Sequence, residues 1–182
     1  MVETTNIEEI DLKTSIDTMI TRLQTIHWGK NAGVQMGEAD EKVNCFMDLL
    51  NVSSYSIKWL SKAELPETIS RLTFEGSELW NVLKEIPERL SQKIRQAGQE
   101  KWLFELGDYI PELIFHPSYS HMVELATDKK SIEYLVGVAM YLSVMACTAE
   151  LAGEGNIFLP IIELLEMGNL PLGLEGNAIY LL

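Results

Sequence analysis

Cysteine is scarce: this 182-residue chain has two, Cys45 and Cys147. A secreted scaffold held by disulfides needs more of them. Each also falls inside an apolar helical pattern, where a free thiol behaves as a small hydrophobe. Positive charge is short as well, with 14 Lys and Arg against 27 Asp and Glu and a formal net charge of −13. Such a surface repels phosphate backbones and anionic lipid, so neither nucleic acid nor a membrane is an expected partner. Residues 1–10 lack a basic segment followed by an apolar one, so no signal peptide is expected. The longest uncharged run, 134–149, has 16 residues. A membrane-spanning helix needs roughly 20, and a cytoplasmic location is expected. No nucleophile elbow, Walker loop or dinucleotide fingerprint occurs, and Gly153-Glu154-Gly155 reads as a helix end and a turn.

Hydrophobic residues make up 47% of the chain and charged residues 23%, the balance of a folded protein. The length suits one domain spanning 1–182, with an acidic, frayed stretch over 1–11. The expected class is mainly α, an irregular multi-helix bundle around one central apolar helix, with a short C-terminal β-hairpin.

Thr14 and Asp17 resemble a capping box, and Ile16, Met19, Ile20, Leu23 and Ile26 follow as one apolar stripe ending near Gly29–Gly33. A second helix starts at Glu38–Asp40 and continues through Val43, Phe46, Met47 and Leu50. Residues 52–60 fit either a helical extension or an extended segment. The form apolar-Pro-Glu recurs at Leu65-Pro66-Glu67, Ile86-Pro87-Glu88 and Ile110-Pro111-Glu112. Proline is tolerated in the first helical turn and glutamate beside it suits the dipole, so all three read as helix starts, and Leu159-Pro160 repeats the apolar-Pro part. Their spacing fits a solenoid repeat, but the units are otherwise unlike, which favours an irregular bundle. Gly107 and Pro117 read as stops, with a short helix after Tyr119.

The strongest element spans about 129–152, capped by Thr127 or Asp128 and free of charge between Glu133 and Glu150. A helix apolar nearly all round belongs at the centre of a core. Ala139, Ser143, Ala146 and Cys147 give it one small face, with Tyr134, Val138, Tyr141 and Met145 filling the opposite side. Another apolar helix covers 157–167. The tail, 170–182, reads as a hairpin about Glu175-Gly176-Asn177, packed on the helices or paired with a second copy as a homodimer.

Candidate chemistry is sparse. His116, His121 and Glu124 lie close together, with His121 and Glu124 on one helical face, and two imidazoles and a carboxylate are the ligand types a divalent metal takes. Against this, Pro117 and two serines separate the histidines and no second ligand pair is visible. His27 beside Trp28 reads as a partly buried packing residue. Carboxylate pairs such as Glu8-Glu9, Asp40-Glu41 and Glu163/Glu166 imply no acid–base chemistry without a cleft to hold them. Trp28, Trp59, Trp80 and Trp102 all sit in apolar contexts that suit core packing.

No cofactor is called for. The leading reading is a non-enzymatic acidic protein that binds another protein, in its sharpest form a neutraliser of a basic partner of the immunity or antitoxin kind. The alternatives are a small-ligand or metal-binding helical protein, an enzyme of unknown reaction, or a structural homo-oligomer.

Overall fold

The computed structural model describes residues 3–52, 55–73, 77–153 and 155–182, with side chains from Leu12 onward. Asp128 opens the central helix α7 (Lys129–Leu151), its carboxylate accepting the Ser131 backbone N–H at 2.9 Å. The small face of α7 is sealed: Ala139, Ser143, Ala146 and Cys147 are all fully buried. Helices α1 (Glu3–Thr25) and α6 (Glu100–Leu125) pack against it. By length and composition α7 also meets the requirement for a membrane-crossing helix, with half of its most apolar stretch buried inside the fold.

Helix α1 begins at Glu3, so Thr14 is an interior residue and not a cap, and its carbonyl accepts the Thr18 hydroxyl at 2.7 Å. The frayed segment expected over 1–11 lies outside the described residues at Met1 and Val2 and is described only as backbone from Glu3. The stripe Ile16, Met19, Ile20, Leu23 and Ile26 is buried.

Three of the four apolar-proline sites open helices: the expected starts at Leu65 and Ile86 give α3 (Leu65–Ile69) and α5 (Ile86–Gln96), and Leu159-Pro160 begins α8 (Leu159–Glu166), two residues after the start expected at 157. The fourth does not. Pro111, Pro117 and Gly107 all lie inside α6, so the expected start at 110, the stops at 107 and 117 and the separate helix after 119 merge into one 26-residue helix. The physical reason is its buried stripe. Leu106, Ile110, Ile114, Ser118 and Met122 recur every fourth residue and are buried, so packing along α7 offsets the amide bonds that the prolines remove. Serine hydroxyls answer two nearby carbonyls, Ser118 on Phe115 at 3.1 Å and Ser120 on Pro117 at 2.9 Å.

Helix α2 (Gly37–Leu49) packs on α8. Lys42 reaches Glu163 at 2.6 Å, and Arg22 of α1 places Nη2 2.8 Å from Glu166. Those two α8 carboxylates are therefore interhelical ties. Helix α4 (Glu78–Leu83) is capped by Ser77, whose hydroxyl accepts the Trp80 N–H at 2.9 Å.

The tail is the expected hairpin, β2 (Pro171–Glu175) and β3 (Ala178–Leu181), antiparallel with Glu175 opposite Ala178. The ambiguous stretch over 52–60 supplies a strand, β1 (Ser56–Trp59), parallel to β3 with Ser56 opposite Ala178 and Trp59 opposite Leu181. The sheet order β1-β3-β2 places β3 in the middle, so both of its edges are paired within the chain. All four β3 residues are buried, as is Leu182.

The two thiols differ. Cys147 is buried, and burial pushes its thiol up to about 12, whereas Cys45 is exposed on the outer side of α2. The thiolate is the reactive form. One equivalent of maleimide is therefore expected to react with the native protein at Cys45, and a second only on unfolding. Peptide mapping of the labelled sites checks this, and rapid native labelling of Cys147 would contradict it.

Candidate functional site

Tyr134, Gly137, Val138 and Tyr141 follow one another at i, i+3, i+4 and i+7, which places them on one side of α7. This side is not closed over by another helix. It forms the floor of a cleft of about 460 Å³, within the range of roughly 300–1,000 Å³ typical of small-molecule sites. Helix α4 contributes Leu79, Trp80 and Leu83, and α2 contributes Val43, Phe46 and Met47. Phe158 and Ile161 stand at the start of α8, and the sheet adds Pro171, Leu172, Gly173, Leu174 and Ile179. Phe46 and Phe158 meet at 5.7 Å between ring centroids.

Few polar groups face this space. The Tyr134 hydroxyl donates to the Leu172 carbonyl at 2.6 Å, which ties the floor to the hairpin wall. Burial raises the phenol pKa of both Tyr134 and Tyr141, so both stay uncharged at neutral pH. Glu133 marks the rim, exposed, with Lys129 at 3.4 Å. Gly137 lies mid-helix, and a Cβ built there meets nothing within 4 Å. Tyr134, Val138, Tyr141 and Met145 do share the side of α7 opposite its small face, but only Met145 is buried. Tyr141 is 44% exposed and the other two are half-buried along the cleft.

The histidines lie elsewhere. His116 is exposed on α6, and Glu124 is exposed one turn beyond His121. His121 instead stacks on His27, with ring centroids 4.1 Å apart and planes 16° from parallel. Among the described residues no three His, Cys, Asp or Glu side chains gather as a metal-holding group. His27 is exposed rather than partly buried, with its ring packed on His121, and Trp28 turns inward beside it, fully buried, as α1 ends.

Burial holds the His121 pKa below its usual value, reinforced by the neighbouring His27 and opposed by Glu124. A histidine depressed in the fold binds fewer protons folded than unfolded. Its stabilising effect is therefore complete above the unfolded value, near 6.5, and is lost as pH falls from there toward the folded pKa. Urea midpoints are expected to drop across that window, and His121→Gln to flatten the drop. An unchanged pH profile in the variant would contradict this.

A second, polar hollow of about 450 Å³ lies between β1, β3 and α3. Its charges answer one another: Arg71 bridges Glu67 at 2.8 Å and Glu175 at 3.0 Å, and the Tyr180 hydroxyl donates to Glu175 at 2.6 Å. Those bonds, Tyr180 first and then Arg71, lower the Glu175 pKa. Asp40 likewise accepts the Trp59 indole N–H at 3.1 Å. The side chains of Glu8 and Glu9 lie outside the described residues.

The tryptophans divide between core and cleft. Trp28 is core, Trp59 and Trp102 are half-buried against it, and Trp80 lines the cleft. Periodicity alone does not find this site, because its floor repeats the core spacing; a glycine between tyrosines in the middle of an apolar helix is the one local signal. No protein-family model matches the chain, and no curated protein or solved structure matches it either.

Proposed function

We propose that this protein works by binding, and that its ligand is an uncharged, apolar small molecule held in the cleft between α4, α7 and the C-terminal hairpin. One observation carries the reading: about 460 Å³ of space walled by aromatic and aliphatic side chains, with the Tyr134 hydroxyl already bonded inside the chain. Water there finds few partners, so replacing it with apolar surface is favourable. Charge narrows the class further. The chain carries −13, which is unfavourable to a carboxylate such as a fatty acid.

The test is a pair of competition titrations against N-phenylnaphthylamine, an uncharged fluorescent probe. Saturable binding of one equivalent is expected, displaced by dodecanol and only weakly by laurate. Absence of saturable binding overturns the reading, and equal displacement by the two competitors overturns the ligand class.

A further inference from the structure

Helix α6 turns a second surface to solvent. Phe115, Tyr119 and Val123 recur every four residues and are 42%, 45% and 43% exposed. The rings of Phe115 and Tyr119 stack at 5.6 Å. Towards the N-terminus the same side of the helix carries Glu105, Asp108 and Glu112, all exposed, at i, i+3 and i+7. One helix face thus has an acidic half and an aromatic half, about 27 Å long from 105 to 123 at the rise of an α-helix.

We infer that this face docks a basic, amphipathic segment of another protein, with Lys or Arg opposite the three carboxylates and apolar side chains opposite the three hydrophobic ones. Charge complementarity selects the occupant. A second copy of this chain brings the same −13 and sets acidic surface against acidic surface, which opposes self-association. A nucleic acid or an anionic membrane is repelled by the same row. A basic segment gains steering from the acidic half and burial from the aromatic half. The inference is independent of the cleft, since none of these six residues lines it.

The test is selection from a displayed library of random 18-residue peptides against the whole protein. Enriched sequences are expected to combine a Lys/Arg cluster with apolar residues. A synthetic winner is expected to lose affinity at least about tenfold in the double variant Phe115→Ala/Tyr119→Ala, as for truncation of central aromatic anchors. A triple variant, Glu105→Gln/Asp108→Asn/Glu112→Gln, is expected to remove most of the loss of affinity that follows raising salt from about 0.1 M to about 0.5 M. These side chains are exposed, so circular dichroism is expected to match the wild type, and Gly137→Leu in the cleft to leave peptide affinity unchanged. Failure to enrich, enrichment of neutral or acidic sequences, indifference to the double variant, or concentration-dependent dimerisation in light scattering that this variant abolishes would each overturn the inference.

Discussion

Gly168→Ala is expected to lower the unfolding free energy by about 2–4 kcal/mol, combining left-handed backbone cost with a steric clash. Gly168 ends α8 at φ +83°, a conformation in which a Cβ is costly. A Cβ there would also stand 2.9 Å from the Asn31 backbone nitrogen and 2.9 Å from Lys30 Cβ. That is a contact with backbone, which does not move aside as a flexible side-chain tip does. The contact exists because the turn after α1 is clasped to this helix end. Asn31 N–H donates to the Gly168 carbonyl at 2.9 Å, and the Asn31 side chain donates to Met167 at 2.6 Å. Asn169, fully buried, donates its amide to the carbonyls of Asn31 and Val34 at 3.2 and 3.3 Å. Making room for a methyl group pulls these bonds apart. Gly98→Ala is the control, since Gly98 has φ +71° with nothing within 4 Å of a Cβ, and it is expected to cost only about 1–2 kcal/mol. Urea denaturation of both variants checks this, and equal losses would show that the clasp contributes nothing.

Gly137→Leu is expected to weaken binding of an uncharged apolar ligand about tenfold or more, by filling the space the ligand needs. The variant should fold well. Gly137 is exposed in the middle of α7, and a Cβ there meets nothing within 4 Å. Glycine inside a helix costs about 0.5–1 kcal/mol relative to alanine, so Gly137→Ala is expected to raise stability by that amount. A variant that is more stable and yet binds less separates site from scaffold. Undiminished probe binding in a folded Gly137→Leu protein would place the ligand elsewhere.

Much of the fold is legible in local sequence because the deciding physics is local. Asp128 caps α7, and Pro66 and Pro87 mark helix starts, since a cap or a first-turn proline acts within one turn. Pro111 and Pro117 mislead because their local penalty is outweighed by the buried line Leu106, Ile110, Ile114 and Met122, whose partner helix is invisible to a local reading. Strand β1 is ambiguous in a local window for a related reason: Ser56 pairs with Ala178, and no short window contains both. The cleft is the hardest feature to read. Tyr134, Val138 and Tyr141 have the spacing of a core stripe, and spacing reports that a helix face is apolar, not whether another element covers it. The His27–His121 stack joins the end of α1 to α6 and is equally non-local.

The most direct measurement is a titration of the isotope-labelled protein with dodecanol, followed by amide and methyl NMR. Binding in the cleft predicts saturable shifts concentrated at Gly137, Val138, Leu172 and Ile179, with the exposed α6 residues Phe115 and Tyr119 unmoved. Shifts centred on another surface, or none at saturating alcohol, would contradict the account.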